Sequence, residues 1–212
     1  MIKIYFKNRC VCLSKKKQTN KHSFNKDIHE IDDLNIEINR FLFNDQHHRF
    51  HIFGKKSSKL IKLFEERIPM INAGGGLVMN DKGEYLFIYR RKHWDLPKGK
   101  QEINEDIEKT ALREVSEESG LSLNSLKISD KIDCSYHIYQ NDAGFILKKT
   151  TWYLMQYSGN EVPVPEIREG ITKAEWHTQD SIEKLMKQSY PNIKGLIRNF
   201  DFTRFNRTII DE

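Results

Sequence analysis

A short acidic stretch near the middle of the chain constrains the fold more than any other part of the sequence. Residues 99–121 read GKQEINEDIEKTALREVSEESGL, and Glu114, Glu117 and Glu118 lie three and four positions apart. A helix would place these three carboxylates on one face, where they repel one another. They would also lie near the helix C-terminus, where the helix dipole disfavours negative charge. A bound divalent cation removes both penalties, because Mg²⁺ and Mn²⁺ take hard oxygen ligands.

The residues before these acids predict a helix that follows a glycine-containing loop. Ile107 and Val115 belong to a set of apolar residues at helical spacing, which gives the helix an inner face. Asn104 tolerates left-handed backbone geometry and also caps helices. Glu105 and Asp106 follow it, and we expect them in the first helical turn, where the dipole favours acids.

The spacing of this stretch resembles the Nudix box, G-x5-E-x7-R-E-U-x-E-E-x-G-U with U aliphatic. All nine specified positions match, from Gly99 through Glu105 and Arg113 to Leu121. Nudix enzymes cleave a nucleoside diphosphate linked to another moiety, X, with water and a divalent metal. The resemblance implies an α/β fold, a Nudix-type α/β/α sandwich with a mixed β-sheet. It also implies a pyrophosphohydrolase that depends on Mg²⁺ or Mn²⁺.

The resemblance further implies roles for individual residues. It makes Glu114, Glu117 and Glu118 the metal ligands, lets the Gly99 carbonyl approach the metal, and makes Arg113 the residue that orients the carboxylates. A solvated Glu-rich face, an Arg113–Glu117 ion pair and an ordinary turn glycine are the plainer interpretations of these residues. The complete spacing favours the metal site.

The catalytic base has two sources in the family, a glutamate of the box or a glutamate of a later loop. Within the box, Glu114 and Glu117 are the catalytic candidates. The later loop would be residues 162–170, VPVPEIREG, in which Glu169 is the first candidate and Glu166 the second. A solvated loop acid is the alternative interpretation of both loop residues.

Basic residues beside the box are the candidates for substrate binding. Lys98 and Lys100 flank the box glycine, and Arg90 lies near the end of the predicted preceding strand; such cations pair with phosphate. The string Trp-Asp-Leu-Pro-Lys-Gly-Lys is similar to the W-x-x-P-K-G-H stretch of dinucleoside polyphosphate hydrolases in the family, with Lys100 in place of His. This similarity implies a nucleotide diphosphate derivative rich in phosphate. Trp94 either stacks on a base or packs in the core, and the core is favoured.

The chain is long enough for one catalytic domain and a small additional module. We expect a small basic α+β module at 1–68, a boundary at Pro69, and the Nudix domain at 70–205. The predicted elements of the module are strands at 2–6, 10–13 and 49–53 and helices at 31–43 and 57–66. Those of the second domain are strands at 71–79, 85–91, 126–139, 144–157 and 174–177 and helices at 180–188 and 192–204, with a hairpin turn at Asn80-Asp81-Lys82-Gly83.

Charge is distributed unevenly along the chain. Residues 1–70 carry 15 Lys and Arg against 8 Asp and Glu, a net charge of +7, whereas the whole chain is +5. A basic segment can contact phosphate or nucleic acid, so an RNA-directed enzyme is one alternative function. His47, His48 and His51 are either a metal-binding tract or residues of a surface loop and strand, and the second interpretation is favoured.

Several classes of protein are disfavoured by composition. No apolar run reaches membrane-spanning length, so no membrane association is expected, and charges interrupt the N-terminus too often for a signal peptide. Three cysteines, an odd number, fit a reduced cytoplasm, and Cys10 and Cys12 are interpreted as strand-packing residues. A non-catalytic module that binds a nucleotide sugar is a further alternative, although its box would often be degraded. A homodimer is compatible with the sequence.

Overall fold

The computed structural model describes residues 1–7, 9–15, 24–27, 31–43, 49–53 and 57–203, with the backbone alone for 24–27, 31–35 and 57. The described strands are β1 Ile2–Phe6, β2 Arg9–Leu13, β3 Phe24–Asp27, β4 Arg49–Phe53, β5 Met70–Asn80, β6 Tyr85–Arg90, β7 His93–Asp95, β8 Lys98–Lys100, β9 Leu126–Asn141, β10 Gly144–Tyr157 and β11 Ile171–His177. The described helices are α1 Ile31–Phe43, α2 Ser57–Arg67, α3 Ile107–Ser119, α4 Gln179–Lys187 and α5 Pro191–Asn199. None of the helices in these ranges is long and apolar enough to cross a membrane.

The chain divides into two compact units. The first comprises Met1–Ala73, Lys100–Ile107 and Cys134–Thr150. The second comprises Gly74–Gly99, Glu108–Asp133 and Thr151–Glu212. The unit that contains the predicted N-terminal module therefore also takes in two segments from later in the chain.

The first unit is built on strands that follow the order β10-β9-β1-β2-β4-β3. β1 and β2 are antiparallel, with Ile4 opposite Val11. β1 runs parallel to β9, with Ile4 opposite Tyr136, and β4 runs parallel to both β2 and β3. Parallel and antiparallel pairs in one sheet confirm the predicted mixed α/β fold.

Alternate residues of these strands form the core of the first unit together with α1 and α2. Ile4 and Phe6 of β1 are buried while Lys3 is exposed, the alternation expected of a strand with one covered face. The helices contribute Phe41 and other apolar residues to the same cluster. Phe41 meets Phe50 of β4 edge-on, with ring centroids 5.2 Å apart. The core therefore joins both helices to the sheet.

A buried arginine closes the end of α1. Arg9 donates through Nη1 to the Phe41 carbonyl at 2.6 Å and through Nη2 to the Leu42 carbonyl at 3.3 Å. The last carbonyls of a helix have no partner within the helix, and a cation there also meets the negative end of the dipole. Arg9 is thus a structural residue, a role that the sequence pattern did not indicate.

The second unit has the strand order β11-β6-β5-β10-β9, with β7 paired to β6 and β8 paired to β5. The turn between β5 and β6 is fixed by Asn80, whose side-chain oxygen accepts hydrogen bonds of 3.0 Å from the backbone N–H groups of Lys82 and Glu84. This confirms the predicted hairpin. The apolar faces of α4 and α5 pack against Leu77, Phe87 and other buried residues of the sheet.

Two helix boundaries differ from the prediction. α3 begins at Ile107, so Glu105 and Asp106 precede the helix instead of lying in its first turn. Asn104 has a φ of 63°, and this left-handed turn delays the helix. α5 ends at Asn199 rather than 204, because extended backbone at Phe200 lets aromatic residues after the helix pack into the second core.

Other differences concern short strands. β3, β7 and β8 were not predicted, and β11 begins at Ile171 rather than at Ala174. Strands of three or four residues carry too little alternation to be recognised, and sheet pairing defines them instead. His47 and His48 lie outside the described residues, whereas His51 is buried on β4.

Candidate active site

The acidic residues of the box lie on the last two turns of α3. The inner face of the helix is close to β5, because a Cβ atom at Gly76 would lie 3.0 Å from Val115 Cγ2. Glu114 and Glu118 are 7% and 0% exposed, whereas the Glu117 side chain is 55% exposed. The three carboxylates therefore share a helix segment but differ strongly in solvation.

Glu118 is the most deeply buried of these acids. Its Oε2 accepts a 2.8 Å hydrogen bond from the Lys98 backbone N–H. Its Oε1 lies 3.5 Å from Arg90 Nη1 and has no hydrogen-bond donor among the described residues. Burial raises the pKa of Glu118 to about 7, although the charge and backbone N–H of Lys98 oppose the shift.

Arg113 joins the other two carboxylates of the box. Its Nη1 lies 2.8 Å from Glu114 Oε1 and 2.9 Å from Glu117 Oε2. Burial raises the pKa of Glu114, and the hydrogen bond from Arg113 opposes that effect. Arg113 therefore makes the contacts that an orienting residue would make.

Gly99 is in close contact with Glu114. A Cβ atom built on Gly99 would overlap the Glu114 carboxylate. Only glycine leaves room for that carboxylate against the backbone of β8. The glycine at the first position of the box thus meets a steric requirement in this chain.

The loop at 162–170 is bonded to the C-terminal end of α3. The Val164 N–H donates to the Ser119 carbonyl at 2.7 Å, and the Glu166 N–H donates to the Glu118 carbonyl at 3.3 Å. These bonds satisfy carbonyls that a helix end leaves without partners. Gly120 has a φ of 69°, which ends the helix and brings its backbone against Val164.

The two glutamates of this loop have different environments. The Glu166 carboxylate accepts a 3.0 Å hydrogen bond from the Arg168 N–H and caps the short 3₁₀ turn that follows. Glu169 is 46% exposed in its side chain, and its Oε2 lies 3.5 Å from Arg90 Nη1. The structure thus brings Glu169, rather than the capping Glu166, into the arginine contact.

Arg90 connects the loop to the box helix. Its guanidinium lies 3.5 Å from both Glu118 and Glu169, and its Nε has no hydrogen-bond partner among the described residues. Arg91 and Lys92 have φ values of 51° and 64° and form the turn that leads into β7. Of these three basic residues, Arg90 is the one that contacts the acids of the site in the described part of the chain.

Lys98 is held by Asp95, which no sequence motif marks as a site residue. Its ammonium lies 2.5 Å from Asp95 Oδ2 and donates to the Leu96 carbonyl at 3.2 Å. Burial disfavours the ammonium, but the carboxylates of Asp95 and Glu118 outweigh it and raise the pKa of Lys98. The only trace of this pair in the sequence is the spacing of three residues between the acid and the lysine, and the burial of Asp95 is evident from the structure alone.

Trp94 packs with other aromatic rings instead of facing the acids of the site. Trp94 is half-buried and packs beside Tyr89 and His177, with ring centroids 5.0 and 4.9 Å away. It pairs with Tyr89 across β6 and β7, whereas Asp95 and Arg90 lie at odd steps from that pair and so on the other face. Trp94 therefore takes the core position. Lys100 belongs to the first unit and is exposed.

The donor set of the site suits a hard cation. It combines three carboxylates with a backbone carbonyl on β8. One of the carboxylate oxygens, the buried Oε1 of Glu118, has no hydrogen-bond donor among the described residues. Within the described ranges, no three His, Cys, Asp or Glu side chains converge as a preformed metal cage. Arg113 lies between the carboxylates of Glu114 and Glu117 and balances their negative charge in this arrangement.

Comparisons with known proteins agree with the motif. The family model of the NUDIX domain matches residues 71–200, more than half of the chain. A candidate mutator protein, MutT4 of Mycobacterium tuberculosis (strain CDC 1551 / Oshkosh), is 38% identical over 69 residues, which cover 32% of this chain. The match spans only 27% of that relative's length.

The solved structures to which this chain is similar include an Ap4A hydrolase and a MutT protein. The C. elegans Ap4A hydrolase, in a binary complex, has a TM-score of 0.49 at 18% identity, over 67% of this chain and 99% of that chain. The MutT protein from Methanosarcina mazei Go1 has a TM-score of 0.47 at 21% identity, over 66% and 96%.

Proposed function

This chain belongs to the Nudix family of hydrolases, which act on pyrophosphate bonds, and we propose that its activity requires Mg²⁺ or Mn²⁺. The observation that carries the metal requirement is the buried Glu118 carboxylate, whose Oε1 has no hydrogen-bond donor among the described residues. A buried carboxylate oxygen without a hydrogen-bond donor is costly, and a cation beside it would remove that cost.

The residues that would hold the cation are the carboxylates of Glu114, Glu117 and Glu118 and the carbonyl of Gly99. When bound, a divalent cation supplies charge neutralisation for phosphate oxygens and a bound water of lowered pKa. Arg113 would then orient Glu114 and Glu117, which it already contacts at 2.8 and 2.9 Å. The acidic residues near the C-terminal end of α3 would thus serve to bind the cation.

Glu169 is our candidate for the base that accepts a proton from the attacking water. It is favoured over Glu166, because the Glu166 carboxylate is engaged by the Arg168 N–H. Arg90 lies against Glu169 and against the buried Glu118, so it holds the loop acid near the box helix. A half-exposed carboxylate that is held in place can accept a proton in the reaction.

The substrate that we propose is a nucleoside diphosphate linked to a second moiety, with a dinucleoside polyphosphate as the first compound to test. Support comes from the Trp-Asp-Leu-Pro-Lys-Gly string and from Arg90, whose guanidinium can pair with phosphate oxygens. Lys100 stays a prediction from the sequence as a further phosphate contact.

A hydrolysis screen tests the proposal. The purified chain is incubated with Mg²⁺ and with dinucleoside polyphosphates, ADP-ribose, nucleoside triphosphates or capped RNA, and the products are separated by chromatography. We expect turnover of at least one compound that EDTA abolishes and that excess Mg²⁺ or Mn²⁺ restores. Turnover that survives complete removal of divalent metal would exclude the proposed role of the carboxylates.

An RNA substrate is a second candidate, because the N-terminal 70 residues carry an excess of positive charge and Lys3, Lys7 and Lys15 are exposed. Deleting residues 1–68 would remove β1, the partner of β9, so deletion would test folding instead. Replacing the three lysines with glutamine keeps the strands intact. RNA binding that falls with added salt and is weakened by these changes would support the candidate.

A further inference from the structure

Asp95 is a buried acid with both carboxylate oxygens engaged. It is 4% exposed, its Oδ2 lies 2.5 Å from Lys98 Nζ, and its Oδ1 accepts a 2.8 Å hydrogen bond from the Leu96 N–H. The lysine ammonium also donates to the Leu96 carbonyl at 3.2 Å. These bonds close a compact loop between β7 and β8, in which the lysine side chain folds back on its own segment.

The backbone of the same segment contacts both buried box carboxylates. The Lys98 N–H donates to Glu118 Oε2 at 2.8 Å, and Gly99 lies against the carboxylate of Glu114. The conformation of this segment therefore decides where two of the candidate metal ligands are held.

β5 also restricts the segment. The Gly76 N–H donates to the Pro97 carbonyl at 3.1 Å. A Cβ atom at Gly75 would lie 2.6 Å from Lys98 Cβ and 2.7 Å from the Pro97 carbonyl oxygen. The backbone is fixed at Pro97 and the Leu96 side chain is buried in the core, and the Asp95–Lys98 ion pair is the polar side-chain restraint on this segment.

We propose that Asp95 is a positioning residue of the candidate metal site, a role that rests on the proposed function. By holding the Lys98 ammonium, it fixes the segment so that the Lys98 N–H faces Glu118 and Gly99 faces Glu114. Lys98 is then an internal cation of the protein and not a phosphate contact. Outer residues of this kind typically change metal affinity by about 10- to 100-fold when they are replaced.

The test compares Asp95→Asn, Lys98→Met and the double variant with the unchanged protein, and uses Asp142→Asn in an exposed turn as the matched control. One measurement is Mn²⁺ affinity by electron paramagnetic resonance. The other is hydrogen exchange of the residue 98 amide by nuclear magnetic resonance in metal-free buffer. Thermal unfolding checks that each variant is folded.

We expect Asp95→Asn and Lys98→Met each to weaken Mn²⁺ binding by about 10-fold or more and to accelerate exchange of the residue 98 amide. The double variant should lose no more affinity than the worse single variant, because both changes break one interaction. The double variant also removes both charges of the buried ion pair, so neither is left unpaired. The test can therefore still be made if Asp95→Asn does not fold.

Unchanged Mn²⁺ affinity and unchanged amide exchange in the double variant would overturn the positioning role. So would a Lys98→Met variant with a raised substrate KM and normal Mn²⁺ affinity, which is the result expected of a direct phosphate contact. If the unchanged protein binds no Mn²⁺, the proposed function fails, and the amide exchange alone still decides whether Asp95 positions the segment.

Discussion

Gly99 lies so close to Glu114 that a Cβ atom on Gly99 would overlap the Glu114 carboxylate. The contact joins β8 to α3 at the candidate metal site. It explains why a residue with no side chain is required at the first position of the box.

The first prediction is that Gly99→Ala displaces the Glu114 carboxylate. We expect metal affinity and turnover to fall by about 10- to 100-fold, the range typical of disturbed ligand positioning. Mn²⁺ titration and steady-state kinetics measure these effects. Gly83→Ala is the matched control, because its added Cβ meets nothing within 4 Å and a φ of 76° makes it costly only for stability. Equal metal affinity in the two variants would contradict the prediction.

The second prediction concerns the exposed ligand candidate. Glu117→Gln should abolish nearly all turnover while changing the free energy of unfolding by about 0.5 kcal/mol or less, because the side chain is 55% exposed. Kinetics and thermal unfolding measure the two effects. Glu108→Gln, an exposed change at the start of the same helix, should keep turnover. A Glu117→Gln enzyme with normal turnover would remove Glu117 from the site.

The third prediction separates the two acids of the 162–170 loop. Glu169→Gln should lower kcat by about 10²- to 10⁴-fold, as expected for loss of a general base. Glu166→Gln should mainly weaken the cap of the 3₁₀ turn, at a cost of about 1 kcal/mol in stability. The pair is compared by kcat and by thermal unfolding. A larger loss of kcat in Glu166→Gln than in Glu169→Gln would make Glu166, and not Glu169, the candidate base.

The fourth prediction is a pH effect outside the site. Burial lowers the pKa of His51 below its usual 6.5, and the Arg49 charge adds to this. The folded state therefore binds a proton at His51 less readily than the unfolded state does. The contribution of neutral His51 to the stability of the protein is complete above about pH 6.5 and is lost as the pH falls below that value. The loss is at most about 1.4 kcal/mol per pH unit.

Thermal unfolding of the unchanged protein and of His51→Leu between pH 8 and pH 5 measures this effect. We expect the unchanged protein to lose more stability toward pH 5, because leucine does not titrate. Parallel stability curves for the two proteins would show that the environment of His51 does not oppose its protonation.

The box helix and the long strands could be predicted from the sequence because their signals are local. Helical spacing placed Glu114, Glu117 and Glu118 together, and the structure puts them on the last two turns of α3. The turn at Asn80 was also evident, since its side chain bonds within its own hairpin. In such elements the residues that determine the structure are neighbours in the chain.

The support of the site could not be predicted in the same way. Twenty positions separate the Lys98 N–H from its acceptor on Glu118. Similarly, the Val164 bond to Ser119 exists only after the loop has packed on the helix. No periodicity marks such pairs, and Asp95 was missed because a single buried acid resembles a surface acid in sequence.

The parallel pairing of β1 with β9 sets an order of events during synthesis. Ile4 emerges from the ribosome early, yet its partner Tyr136 is made only after 131 intervening residues. Contacts of such long sequence separation form slowly, because a large loop must close before they give any stabilisation. β1 is therefore without its neighbour β9 until that strand has been made, and the apolar face of Ile4 and Phe6 needs protection until then.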